Sequence, residues 1–427
     1  MKINYVAKSF LFPDRPKAIG FLLMFLSGLS GIVSGQSAQK TMLRIPDTGE
    51  TISYTNTFGE DHDYNIHPPF FISHGNGTVT DTVTGLMWQS KDGGEMTIEN
   101  AMLYCDTLTL GGYSNWRLPN AHEGFSILNL QKANPALDGN VFVNTGAEYW
   151  WTSDRQANDV NKIWATNAGG GIGNHPKTET ISAGQATSTK KFHVRAVRDQ
   201  VAPATIPQHF TDNGNGTITD NLTQLTWQKV LNGTALTWED ALNYAENLSL
   251  AGQTDWRLPN IRELQSLNDE SKTNPSVNTT IFPFIGVKKY WSSTTLPNQT
   301  TKAWFWQTQF GITTYDLKTA QNYVMCVRGN NETITGISTK HLEAYGLSVF
   351  PNPALFQFTV RIASNVIPSD CFVVVRNLFG QIVHAPLVWE NPQDFTILTR
   401  NMTEGHYFVS VINGCQIKTV GVTIKKQ

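Results

Sequence analysis

The chain repeats itself, and that repeat limits its architecture more than any other feature. Gly75-Asn76-Gly77-Thr78-Val79-Thr80-Asp81 returns as Gly214-Asn215-Gly216-Thr217-Ile218-Thr219-Asp220, a shift of 139 residues. After one inserted residue the shift is 140. It then pairs Trp116-Arg117-Leu118-Pro119-Asn120 with Trp256-Arg257-Leu258-Pro259-Asn260, Asn134-Pro135 with Asn274-Pro275, Trp151 with Trp291 and Trp164 with Trp304. The copies reconverge at Val197-Arg198 and Val327-Arg328 with a shift of 130, so the first holds ten extra residues beyond Trp164. The run Gly169-Gly170-Gly171 places that insertion in a loop. The period far exceeds the roughly 20–50 residues of solenoids, which predicts two tandem domains.

Within one copy, Asn215-Gly216 between Phe210–Asp212 and Thr217–Thr219 signals a hairpin, and Leu225–Gln228 reads as a third strand. Thr237, an acidic first turn and apolar residues at helical spacing predict a helix through Leu248. Asn260 with Glu263 three residues on, and Asn120 with Glu123, are capping boxes that open a second helix. Aromatic runs at Tyr290–Ser293, Ala303–Trp306 and Tyr323–Arg328 follow as strands.

Both ends carry an address. Lys2, Lys8, Arg15 and Lys17 precede the apolar run Ala18–Leu26, and small residues lead to a cleavage position before Gln36. Basic, apolar and small stretches in that order are a secretory signal peptide over 1–35, and the run is too short and interrupted to span a bilayer. No membrane span is expected after cleavage. From about Leu347 the chain turns to short strand-like runs, Phe358–Ile362, Phe372–Asn377, Phe379–Val383, Gly405–Val411 and Val420–Ile424, which read as a small all-β sandwich. Pro351-Asn352-Pro353, Gly380-Gln381-Ile382-Val383, Gly405-His406-Tyr407 and a basic end resemble the C-terminal sorting domain of the type IX secretion system. Ala354-Leu355-Phe356-Gln357 stands where that family usually has a small turn with Gly after P-N-P. The resemblance implies the type IX secretion machinery as a partner, and a secreted or outer-membrane-surface protein.

The repeated string G-N-G-T-[VI]-T-D, L-[MT]-W-Q, W-R-L-P-N-x-x-E, Y-W-x-[ST]-S or its like and a closing V-R resembles the Lcl C-terminal domain family. The lead-in Ile45–Glu50 and Gly59–Tyr64 resembles its longer form. W-R-L-P before a helix is similar to what sulfatase-modifying and C-type-lectin-like folds use. The fold class expected is therefore α+β: two tandem C-type-lectin-like domains plus a small C-terminal all-β sandwich. The boundaries are 36–200 for the first domain, 201–209 for a linker, 210–330 for the second domain, 331–345 for another linker and 346–427 for the sorting domain. The family's eponymous adhesin binds sulfated glycosaminoglycans, which implies adhesion with an extracellular glycan as partner. The alternative is an extracellular enzyme acting on envelope or polysaccharide substrates.

Candidate chemistry is sparse. The stretch Asp212–Asp220 superficially resembles a calcium loop but puts Thr211 and Leu222 at positions 1 and 12, so a hairpin turn suits it better. Glu123 and Glu263 are either carboxylates for catalysis or helix caps. Arg117 and Arg257 are expected to bond carbonyls or stack on an aromatic ring. His74 and His122 are replaced by Asn213 and Arg262 in the other copy, so the repeat requires neither. There is no H-E-x-x-H, P-loop, G-x-S-x-G or dinucleotide motif, so no enzyme, no metal and no cofactor is expected. A net charge of -2 excludes a nucleic-acid footprint over the whole molecule and confines any polyanion site to local pairs such as Lys190-Lys191 and Lys288-Lys289. Trp150 and Trp306, which face Tyr290 and Thr166 in the alignment of the copies, are the tryptophans free to stack on a sugar. Of the four cysteines, Cys105 and Cys326 each keep one half of the family's bridge. They are expected to be separate, buried and reduced; pairing would need the second copy's last strand to complete the first domain. Cys371 and Cys415 lie together in the sorting sandwich as another candidate pair.

Overall fold

The computed structural model describes residues 36–64, 66–180, 187–329, 347–362, 371–377, 383, 385–391, 393–400, 402–413 and 416–426. The expected signal peptide, the linker 331–345, most of the strand at Phe379–Val383 and the Cys371–Cys415 pair lie outside them. The chain divides into two compact units, 1–331 and 332–427. The described chain is mostly β-sheet, with four short α-helices among its described residues.

Each copy in the first unit builds the same hairpin-led sheet. In the first copy the order is Val197–Asp199, Leu86–Gln89, Thr78–Asp81, Phe71–Ser73; in the second it is Val327–Gly329, Leu225–Gln228, Thr217–Asp220, Phe210–Asp212. The Asn-Gly turn forms as expected: Asn213 N–H donates to Thr217 O at 3.0 Å, and the Asn215 carboxamide oxygen accepts from the Thr217 amide and hydroxyl. Each copy closes with its own terminal strand, so the exchange that would bring Cys105 to Cys326 does not occur; both thiols are buried and free.

A second sheet lies across the helices. It joins Glu95–Met96, Phe192–His193, Tyr149–Gln156, Asp159–Asn167 and Ile172–Pro176 in that order in the first copy, and Lys289–Thr295, Lys302–Gln307 and Ile312–Leu317 in the second. The Gly169–Gly171 turn has a counterpart at Gln309–Gly311, so it is not the insertion. The extra residues of the first copy instead form a hairpin, Thr178–Thr180 with Thr187–Thr189. The first helices, Ile98–Thr107 and Trp238–Glu246, start at Thr97 and Thr237, whose hydroxyls accept from the third helical amide. The second helices, Ala121–Ser126 and Ile261–Gln265, each have the complete capping box read from the sequence.

The two copies are not separate bodies. Small private cores sit under each first helix, Trp116 and Trp151 in one, Trp256 and Trp291 in the other. The large core is common to both: Trp88, Phe125, Leu128 and Trp164 are in one cluster with Trp227, Leu264, Leu267 and Trp304. The expected linker 201–209 is also structured, because Ala204–Ile206 pairs antiparallel with Ala38–Lys40.

The second unit is the expected sandwich. Leu347–Phe350, Gln357–Ile362, Asp394–Leu398 and Leu387–Trp389 form one sheet, and Cys371–Asn377, Gly405–Asn413 and Gln416–Ile424 the other, around Phe358, Phe395, Val409 and Ile424. Ala354 departs from the family's turn for a packing reason. It is fully buried, its N–H donates to Thr423 O, and its carbonyl accepts from Lys425 N–H.

Candidate functional site

The W-R-L-P-N-x-x-E motif aims the second helices. Arg257 donates to both oxygens of Glu263 at 2.6 and 2.7 Å, and Glu263 accepts from the Asn260 amide, so one carboxylate both caps the helix and ties it to the strand before it. Arg117 and Glu123 repeat the arrangement at 2.7 and 2.8 Å, with Asp199 as a second acid on the arginine. The expected ring contact is present only at Arg257, 5.3 Å from the centre of Tyr64. Carbonyl bonding is the minor part: Arg117 also reaches Leu118 O at 3.4 Å.

So held, the first turn of each helix faces the other copy. Arg262 crosses the seam to Leu128 O and also donates to Pro46 O and Asp47 O at 3.2 and 2.5 Å. At the matching position His122 crosses the other way, its Nε2 3.1 Å from the Glu270 carboxylate. Burial works against the imidazolium, yet Glu270, Asp154 and the Asn268 backbone raise His122 to about 9. It is a cation at neutral pH.

Beside His122 the seam opens into a cleft of about 400 Å³. The segment 36–45 forms one wall, Phe210 and Ile281 supply apolar surface, and Asn268, Asp269 and Glu270 present polar groups. His209 stacks on Phe210 with centroids 3.8 Å apart and lies 3.3 Å from Asp220. Burial opposes ionisation of Asp269, but Lys272 and Ser271 hold it below the usual carboxylate range. The lining offers fixed donors and acceptors around an apolar floor, in the size range of ligand pockets, about 300–1,000 Å³. The imidazole is committed to its ion pair with Glu270.

The residues singled out by sequence fall elsewhere. Trp150 is 7 % exposed, with its Nε1 donating to Asp92 at 3.2 Å, and Trp306 is wholly buried. Their partners differ between copies because the shared core is not symmetric, and neither ring offers a face to a sugar. Of the lysine pairs, Lys190 lies 4.0 Å from Glu179, Lys289 bonds Asp316 at 3.0 Å, and Lys288 sits over the Tyr323 ring at 3.5 Å. His74 bonds Thr80. Of the residues weighed for chemistry in the sequence, His122 lines the cleft, and the other copy has Arg262 in its place. That exchange was in fact the signal, since the two positions do opposite jobs across one seam.

A second cluster belongs to the lead-in. Asp61 Oδ2 accepts from the Thr48 and Thr294 hydroxyls at 2.7 and 2.5 Å, and Glu50 accepts from the Thr295 amide at 3.3 Å. Burial, with Asp61 and Glu263 nearby, raises Asp47 to about 7; burial raises Asp61 to about 6 against those two hydroxyl bonds. Glu60, His62 and Asp63 bring potential metal-ligand atoms together, but Glu60 accepts from the Tyr54 amide and Asp63 from the Gly59 amide, which ties both to the turn they close.

No curated protein matches this chain. A solved structure of CopC from Methylosinus trichosporium OB3b is 14 % identical, covering 19 % of this chain and 96 % of that chain at a TM-score of 0.16, too slight a likeness to argue from. The secretion system C-terminal sorting domain matches residues 348–426 and marks the protein for export by the type IX system to the cell surface or extracellular space. No helix among the described residues is long and apolar enough to cross a membrane. The Lcl C-terminal domain matches residues 77–198 and again 216–328, more than half of the chain, and the protein therefore belongs to the Lcl C-terminal domain family.

Proposed function

We propose that this is a non-enzymatic binding or adhesion protein of the cell exterior whose ligand enters the seam cleft beside His122. The cleft carries the reading: a cavity of about 400 Å³ with a charged imidazole, carboxamides and carboxylates converging on it, in an exported protein. The C-type-lectin-like α+β class is part of the same reading, supported by the W-R-L-P strand-to-helix lock and its repetition. A glycan is the ligand class suggested by family resemblance. With Trp150 and Trp306 in the core, such a ligand would rely on hydrogen bonds rather than ring stacking. The test is a glycan array with the full chain at two salt concentrations, repeated with His122→Ala. Binding that the substitution abolishes supports the cleft. Heparin binding that is tight and indifferent to half-molar salt would contradict it, since Lys190 and Lys289 already face Glu179 and Asp316 and exposed charge is screened within about 10 Å at 0.1 M salt.

A further inference from the structure

The seam has two matching grooves, and the chain fills one of them with itself. Asn129 N–H donates to Ala136 O at 2.9 Å and Lys132 N–H to Asn129 O; 140 residues on, Asp269 N–H donates to Ser276 O at 2.8 Å and Lys272 N–H to Asp269 O. The loops 128–132 and 268–272 are thus the same structure. Arg262 faces the first loop and His122 the second, from equivalent helix turns.

Along the first loop runs the lead-in, held by its main chain and turning at Gly49, whose φ is +90°. Leu130 N–H donates to Thr48 O at 2.8 Å. The Gln131 carboxamide oxygen accepts from Thr51 N–H and Ile52 N–H at 2.9 and 3.1 Å, and Arg262 donates to the carbonyls of Pro46 and Asp47. Leu43 N–H donates to Thr84 O at the groove's other bank. The second loop, with Thr223 at the position of Thr84, lines the open cleft instead. The earlier residues of the same segment, 36–45, only wall the second groove and leave the cleft open.

We infer that the open cleft takes a polypeptide segment of a partner protein, held by its main chain as the lead-in is held in the filled groove. This rests on the cleft being the ligand site, and it names the ligand class. Glu270 stands at the position of Leu130, so its amide is the donor to a peptide carbonyl. His122 stands at the position of Arg262 with its imidazole paired to Glu270, and Ser271 replaces the Gln131 clamp. Recognition through main-chain groups gives affinity with little demand on sequence, while the pockets beside it select side chains. Losing the Gln131 oxygen that accepts from two amides makes this groove the weaker of the two, which suits a reversible partner.

The experiment screens the full chain against a displayed library of random linear peptides of about twelve residues and, in parallel, a glycan array. Ser271→Trp, at an exposed position on the cleft rim, blocks the groove; an unchanged melting midpoint shows that the variant folds. The expected result is enrichment of linear peptides, about tenfold or greater weakening by Ser271→Trp, and slower hydrogen exchange at the Glu270 amide when peptide is bound. Glycans bound in place of peptides, and lost in Ser271→Trp, would overturn the peptide inference while leaving the cleft as the ligand site. Binding of either class that Ser271→Trp leaves intact, or no binding by either array, would overturn both.

Discussion

Glu263 does two jobs with one carboxylate, and both happen where water is excluded: the side chains of Arg257 and Glu263 are 3 % and 5 % exposed. Removing the acid leaves a buried guanidinium unpaired and a helix uncapped. Glu263→Ala is therefore expected to cost about 3–5 kcal/mol, read from denaturant unfolding. Glu123→Ala should cost less, because Arg117 is 32 % exposed and keeps Asp199; equal losses would show that burial does not set the difference. The cysteines give a second residue-level test. Cys105 is buried, and desolvation pushes its thiol up to about 12; Cys326 shifts the same way. Since the thiolate is the reactive species, both should resist an aromatic disulfide reagent until the protein unfolds. Non-reducing peptide mapping should return them unlinked, and a Cys105–Cys326 peptide would mean that the terminal strands are not paired as described.

Among the elements, the lead-in is the one whose attachment depends on pH. Asp47, Asp61 and Glu50 are buried by it, and all three favour the neutral acid. Unfolded carboxyls titrate near 4, whereas Asp61 and Asp47 in place titrate at about 6 and about 7. A raised folded pKa lends stability that is complete below the unfolded value and is lost as pH rises through the folded one. Docking should therefore loosen between about pH 4 and pH 7. The protection factor of the Leu130 amide, bonded to Thr48 O, should be lower at about pH 8 than at about pH 5, and Asp61→Asn should flatten that change; protection that rises with pH would refute the sign. None of this was visible in the sequence, where Ile45–Glu50 and Gly59–Tyr64 carry no periodicity and no breaker pattern that says what they lie against. The helices and hairpins were legible for the opposite reason. Thr97, Thr237, Asn120, Asn260 and the Asn-Gly turns act on groups two or three residues away, so their chemistry is complete within a short window. The strand Ile312–Leu317 alternates as a strand should and was passed over, its signal overshadowed by the tryptophan run before it.

On the scale of the whole molecule, duplication in sequence suggested independence, and the structure has interdependence. A buried tryptophan reads the same whether it faces its own copy's core or its neighbour's, so Trp88, Trp164, Trp227 and Trp304 could be placed inside but not assigned to a common cluster. The consequence is thermodynamic. If each copy were stable alone, a cavity in one would leave the other's unfolding unchanged, as for distant sites whose effects are separate. With the large core shared, neither copy buries enough of its apolar surface without the other, and the two should unfold as one cooperative unit. Phe125 is 1 % exposed, lies on the first copy's second helix and belongs to that core. Phe125→Ala should cost about 3–5 kcal/mol. In native-state hydrogen exchange the loss should reach amides of the strand Leu225–Gln228 in the second copy by about the same amount as those of Leu86–Gln89 in the first. If protection falls in the first copy alone, the cores are energetically separate despite their contact, and the seam with its two grooves is a docked interface rather than the interior of one domain.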